Sequence, residues 1–306
     1  MSGGTTPLVL YIPGLFPKPE PGVHKVALRR CLIEGARRID PQIADEIANN
    51  ERSFDVVAWT YDFYREHRDF SLDAAAVDTL IEQAKATEQD VVEASSVGKR
   101  MLRWIHRVGD LFPFLIPHLA SERVELHMRD LRRYVRNVNG IGEHTREMLK
   151  MSLRAAHESH RPVLLIAHSM GSVIAYDSLW EMSHDGRDEL RLDVFLTMGS
   201  PLGQNYLQRR ILGHGLSGIP RYPQNIRRWI NLAAAGDMTA IDPQLKDDFG
   251  EMLDLDIVEC IDDIEIFNFF RLEGELNVHA EYGYLINNVT AGIITDWWRE
   301  RRQSGD

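Results

Sequence analysis

Six short apolar runs punctuate the chain: PLVLYI (7–12), FDVVAWT (54–60), PVLLIA (162–167), LDVFLTM (192–198), RWINL (228–232) and IEIFNFF (264–270). They are rich in β-branched and aromatic residues and show little polar alternation, the pattern of strands buried on both faces. Between them, 23–49, 173–183 and 290–301 have helical spacing. The alternation predicts an α/β fold, a mostly parallel sheet with helices on both faces.

One interval is too long for a single crossover. Roughly a hundred residues rich in helix formers separate Thr60 from Val163, and compact domains rarely hold a structureless loop of that length. The spacing therefore predicts an inserted helical lid or cap over 61–142 within one domain spanning 1–306. Gly140 and Gly142 mark a break before a last helix, 143–159, that returns to the sheet. No internal repeat or low-complexity tract occurs.

The segment Pro162–Ala175 carries the clearest chemistry. It reads PVLLIAHSMGSVIA, with Ser169 between an apolar strand and a helical run. A serine on a sharp strand-to-helix turn needs small residues two before and two after it, and Ala167 and Gly171 supply them. Such a turn aims the first N–H groups of the helix at the reacting centre, where they bind a developing oxyanion. With these flanks the segment resembles the nucleophile elbow of α/β-hydrolases, in the broad lipase and esterase group. The resemblance covers about two-thirds of the chain, the core strands and their turns, and leaves out 61–139.

The resemblance implies a triad in the chain order Ser, Asp or Glu, then His. Of twelve histidines, only His279 lies well downstream of the later strands, and NVHAEYGYL around it resembles the family's catalytic-histidine segment. No Asp or Glu occurs from Val194 through Gly236, which excludes an acid directly after LDVFLTM. Asp237 follows the next strand on a small-residue turn, at a strand C-terminus where ligands and catalysts gather in open α/β sheets. Asp242 is its rival, although a helix cap ahead of Pro243 also accounts for it. The expected catalytic set is Ser169, His279 and Asp237.

The first strand ends in YIPGLFP, where the family has His-Gly-x. Pro13 stands in place of that histidine. Because backbone N–H groups bind the oxyanion, Leu15 and Met170 are the expected donors. Gly14 and Ser200, the latter in a GSP turn after LDVFLTM, are expected to line the pocket, and Tyr61 and Asp62, ending the second strand, either line its mouth or lie on the surface.

Within the insertion, 97–116 mixes apolar Trp104, Ile105, Leu111 and Phe112 with Lys99, Arg100, Arg103 and Arg107; Arg123, Arg129, Arg132, Arg133 and Arg136 follow. Such a segment suits a lid or a transient membrane-surface contact, or packs its apolar side on the sheet with its arginines in solvent. The net charge of −11 argues against nucleic-acid binding. Leu111–Ala120 is interrupted by Pro113 and Pro117 and is shorter than a membrane span, and no basic stretch precedes an apolar one at the N-terminus. The expectation is a soluble cytoplasmic protein. Cys31 and Cys260 are expected as buried free thiols, and His157 and His160 as surface residues without a third metal ligand.

The implied reaction is hydrolysis of a small-molecule or lipid carboxylic ester through an acyl-serine, needing no cofactor or metal. An acyltransferase with the same triad and a non-catalytic scaffold are the alternatives.

Overall fold

The computed structural model describes residues 6–96, 122–186 and 190–303. Six strands, β1 (Leu8–Ile12), β2 (Phe54–Val56), β3 (Val163–His168), β4 (Leu192–Met198), β5 (Ile226–Ala234) and β6 (Cys260–Ile266), form one sheet in the order β2-β1-β3-β4-β5-β6. Every pairing within this sheet is parallel. The helices are α1 (Pro21–Ile39), α2 (Pro41–Ala48), α3 (Thr60–Tyr64), α4 (Ser71–Glu82), α5 (Glu88–Ala94), α6 (Glu122–Val135), α7 (Ile141–Glu158), α8 (Met170–His184), α9 (Asn205–Gln208), α10 (Leu245–Phe249), α11 (Glu251–Asp254), α12 (Glu281–Ile286) and α13 (Asn288–Gln303).

Alternate residues of each strand feed two cores, one on each face. Leu8, Leu10 and Ile12 meet Trp59, Leu149, Ile174 and Phe249 on one side. Val9 and Tyr11 meet Leu28, Val77, Leu285 and Trp297 on the other. This double burial is why the central strands read as unbroken apolar runs.

The departures from expectation have local causes. The helical pattern at 23–49 divides at Asp40-Pro41, where Pro41 lacks an N–H and the Asp40 carboxylate accepts from Gln42 and Ile43 N–H at 3.1 and 3.2 Å, capping α2. β2 stops at Val56, and Thr60, Tyr61 and Asp62 belong to α3. β6 begins four residues before the predicted run (260 against 264) and ends at Ile266; Asp262 and Asp263 on this edge strand interrupt the apolar pattern ahead of Ile264. Phe269 and Phe270 follow it as buried loop residues.

The described parts of the insertion divide between the two faces. Val77, Leu80 and Ala94 join one core, and Leu131 and Tyr134 the other. The basic amphipathic stretch 97–116 lies outside the described residues. Arg133, expected in solvent, instead donates to Phe63 O at 2.7 Å and lies over the Phe63 ring. Cys31 is buried, whereas Cys260 is only partly covered at the sheet edge. Among the described residues no helix is long and apolar enough to cross a membrane.

From β1 the chain passes outward to β2, then returns across β1 to β3 on its other side, so the C-terminal ends of β1 and β3 flank a topological switch point.

Candidate active site

Ser169 stands at that point, directly after β3 and before α8. Its backbone is at φ 53°, ψ −127°, a sparsely populated region for a residue with a Cβ, costing on the order of 1–3 kcal/mol. Surrounding contacts hold it there. Ser169 N–H donates to Met198 O at 2.8 Å, and Ser169 O accepts the Ser172 hydroxyl at 2.6 Å. The small-residue requirement has a concrete cause at Gly171, where a Cβ would lie 2.5 Å from Ile12 O. A Cβ on Gly14 would lie 2.6 Å from Ser169 Cβ, so the turn after β1 packs its bare backbone against the serine.

His279 and Asp237 come from separate loops. His279 Nε2 is 3.0 Å from Ser169 Oγ, and its Nδ1 is 2.8 Å from Asp237 Oδ2. An ionised carboxylate only accepts, so the proton of neutral His279 sits on Nδ1 and Nε2 is free to accept from the serine hydroxyl. Thr239 Oγ1 lies farther from Nε2, at 3.4 Å. The imidazole remains part-exposed, at 28%, while the Asp237 side chain is wholly enclosed.

Burial pushes the Asp237 carboxyl upward, but His279, the Tyr284 hydroxyl and Thr239 N–H outweigh it and hold the group below its ordinary value. Tyr284 donates to Asp237 Oδ2 at 2.7 Å and accepts Ala234 N–H at 2.8 Å; Thr239 N–H donates to Oδ1 at 2.8 Å. Asp242 makes no such approach. Nor does it cap a helix at Pro243: α10 starts at Leu245, and Asp263 on β6 accepts from Leu245 and Lys246 N–H at 3.0 and 2.9 Å.

Leu15 and Met170 are both buried, and among the described residues neither N–H has an acceptor. Met170 opens α8, adding the positive end of a fifteen-residue helix to its own N–H. Ser200 is placed differently from a ligand contact: its hydroxyl pairs with Ser172 Oγ at 2.7 Å and accepts Leu202 N–H at 3.2 Å, tying the turn after β4 to α8. Tyr61 is 42% exposed and stacks on His67, with no hydrogen bond or ring contact to Ser169, His279 or Gly14. Asp62 pairs with His144 and Arg65.

Several residues around the site carry no signal in a motif. His168 is buried beside His279, with ring centroids 4.7 Å apart, and its Nε2 is 2.9 Å from His279 O. A carbonyl only accepts, so His168 Nε2 carries the proton. Burial, with His279 adding to it, lowers the His168 pKa to about 3, which keeps the ring neutral. Glu281, two residues past His279, is buried against Tyr11 OH (2.8 Å), Lys18 Nζ (3.0 Å) and His24 Nε2 (3.0 Å). Burial opposes its charge, but Lys18 and His24 prevail and hold the carboxyl well below the usual range. These groups fasten the His279 loop to β1 and α1. Tyr284 and Glu281 both lie within the aromatic-rich stretch after His279, the one available hint.

His157 and His160 are exposed at the end of α7, and no group of three His, Cys, Asp or Glu suited to a metal occurs among the described residues. No family model, curated protein or solved structure matches the chain. The six-stranded parallel sheet flanked by helices is compatible with an α/β-hydrolase.

Proposed function

We propose that this chain is a serine hydrolase of the α/β-hydrolase type that cleaves carboxylic esters through an acyl-Ser169 intermediate. One observation carries the reading: the continuous hydrogen-bond path Ser169 Oγ–His279 Nε2 and His279 Nδ1–Asp237 Oδ2, at 3.0 and 2.8 Å, anchored at a strained turn on the switch point. In this mechanism Ser169 Oγ attacks the ester carbonyl carbon as its proton passes to His279 Nε2. Asp237 stabilises the resulting imidazolium and fixes its orientation. Leu15 and Met170 N–H groups bind the oxyanion. Collapse breaks the acyl–oxygen bond, and the leaving alkoxide takes the proton from His279. Water, deprotonated by the same imidazole, then attacks the acyl-enzyme, releases the acid and returns the proton to Ser169.

Intact-mass analysis after exposure to a fluorophosphonate tests this directly. A single adduct is expected on the wild type and none on Ser169→Ala, followed by hydrolysis of p-nitrophenyl esters by the wild type alone. An unlabelled wild type, with detergent included, would favour the scaffold reading instead.

A further inference from the structure

The turn after β1 has to present Leu15 N–H to an oxyanion without the histidine the resemblance leads one to expect, since Pro13 occupies that position. Two side chains from the chain following β2 grip the turn at its ends. Trp59, fully buried, donates its indole N–H to Pro13 O at 2.9 Å. Phe16, a non-glycine residue at φ 73°, donates its backbone N–H to Tyr64 OH at 3.0 Å. The peptide groups of Gly14 and Leu15 lie between these two fixed points. The Tyr64 hydroxyl is itself oriented, because it donates to Asp130 Oδ2 on α6 at 3.0 Å. Asp130 is 2% exposed and pairs with Arg129 Nε at 3.0 Å. Burial raises the Tyr64 pKa above its ordinary value, so the hydroxyl keeps the proton that the relay requires.

We infer that Tyr64 and Asp130 are positioning residues for the oxyanion hole, forming a relay from α6 through the Tyr64 hydroxyl to Phe16 N–H that sets the direction of the Leu15 N–H. This rests on the hydrolase reading above. Neither residue touches the reacting atoms. Asp130 polarises the hydroxyl so that its lone pairs face Phe16; the pinned Phe16 amide fixes the preceding peptide, and with it the donor. Helix α6, which belongs to the 61–142 insertion, thereby reaches the chemistry through one oxygen atom.

Tyr64→Phe keeps the ring and removes the relay. The expected result is a kcat lower by about 10- to 100-fold with KM changed less than about twofold, since a misdirected oxyanion donor costs transition-state binding and spares the ground state. Affinity for a trifluoromethyl ketone, which forms a tetrahedral oxyanion on Ser169, is expected to fall in proportion. Asp130→Ala should show the same pattern more weakly, and Asp130→Asn, whose amide oxygen still accepts from Tyr64, should recover most of the loss. Thermal melts of each variant identify any that fail to fold; the Asp130 pair then carries the test. Unchanged kcat, a rise in KM alone, or full trifluoromethyl ketone affinity in Tyr64→Phe would overturn the relay. Amide hydrogen exchange in the peptide containing Phe16 separates this from the hydrolase reading. It should quicken in Tyr64→Phe whether or not the wild type takes the fluorophosphonate, and unchanged exchange would again overturn the relay.

Discussion

Asp237 and Asp177 are both buried, and each accepts a tyrosine hydroxyl and a backbone N–H, yet their carboxyls are displaced in opposite directions. Asp237, on the loop after β5, takes Tyr284 OH and Thr239 N–H. Asp177, on α8, takes Tyr134 OH at 2.8 Å and Leu212 N–H at 2.8 Å. Burial raises the Asp177 pKa to about 6, whereas Asp237 is held low despite its burial. The difference is the third partner. Asp237 has an imidazole at 2.8 Å that can take a positive charge. The cation near Asp177 is Arg146, whose Nε is already committed to Glu181 at 2.8 Å. Two neutral donors do not offset desolvation of a carboxylate, but two donors plus an adjacent ionisable base do.

The most direct way to break the comparison is to neutralise each carboxylate in turn. Asp237→Asn should lower kcat by about ten-thousand-fold, because the amide no longer fixes the productive imidazole tautomer. Asp177→Asn should leave kcat within about threefold. Ester-hydrolysis kinetics on both variants decide it, and equal losses would mean that Asp177 is also coupled to the chemistry.

A smaller effect should appear in stability against pH. Between about 3.8 and 6 folded Asp177 holds a proton that the unfolded chain releases, so its contribution is complete below that range and is lost as pH rises through it. Asp237 runs the other way, contributing above the ordinary carboxylate pKa and losing its effect as pH falls toward its lowered value. Between pH 4 and pH 8 the wild type should therefore lose roughly 1–3 kcal/mol more stability than Asp177→Asn, as read from urea unfolding curves. Parallel curves for the two proteins would place the Asp177 pKa near its unfolded value.

The smallest effects should come from the tyrosines. Tyr284→Phe removes a donor to Asp237 and leaves Ala234 N–H without its acceptor, which should lower kcat about tenfold. Tyr134→Phe should cost roughly 1–2 kcal/mol of stability and leave kcat unaltered. Paired kinetic and melting measurements would show whether that division holds.

The central strands were legible because burial on both faces leaves a plain apolar run, as in β1 and β3. Only the C-terminal half of the edge strand β6 was, since Asp262 is exposed and Asp263 turns toward α10, which breaks the apolar run over its first residues. The proximity of Ser169, His279 and Asp237 was legible through local spacing, chain order and the absence of acids before Asp237. The supporting shell was illegible for a different reason. His168, Tyr284, Glu281 and Lys18 act through contacts across strands and loops, such as the Lys18–Glu281 pair at 3.0 Å, and no local pattern encodes such pairing. Tyr61 and Ser200 were drawn to the pocket by their neighbours in sequence. The fold leaves Tyr61 on the exposed side of α3 and gives Ser200 to the bracing of α8.

The pairing of β1 with β3 also bears on how the protein is made. Leu8 pairs with Val163 and Ile12 with Ala167, so the sheet's second strand in spatial order leaves the ribosome long before its inner neighbour exists. At about 5–20 residues per second that wait lasts roughly eight to thirty seconds, during which an apolar strand has an open edge. A nascent chain of this design carries an open apolar edge until β3 emerges, and Ser169 and His279 lie 110 positions apart, so the Ser169–His279–Asp237 arrangement can close only after synthesis has passed His279.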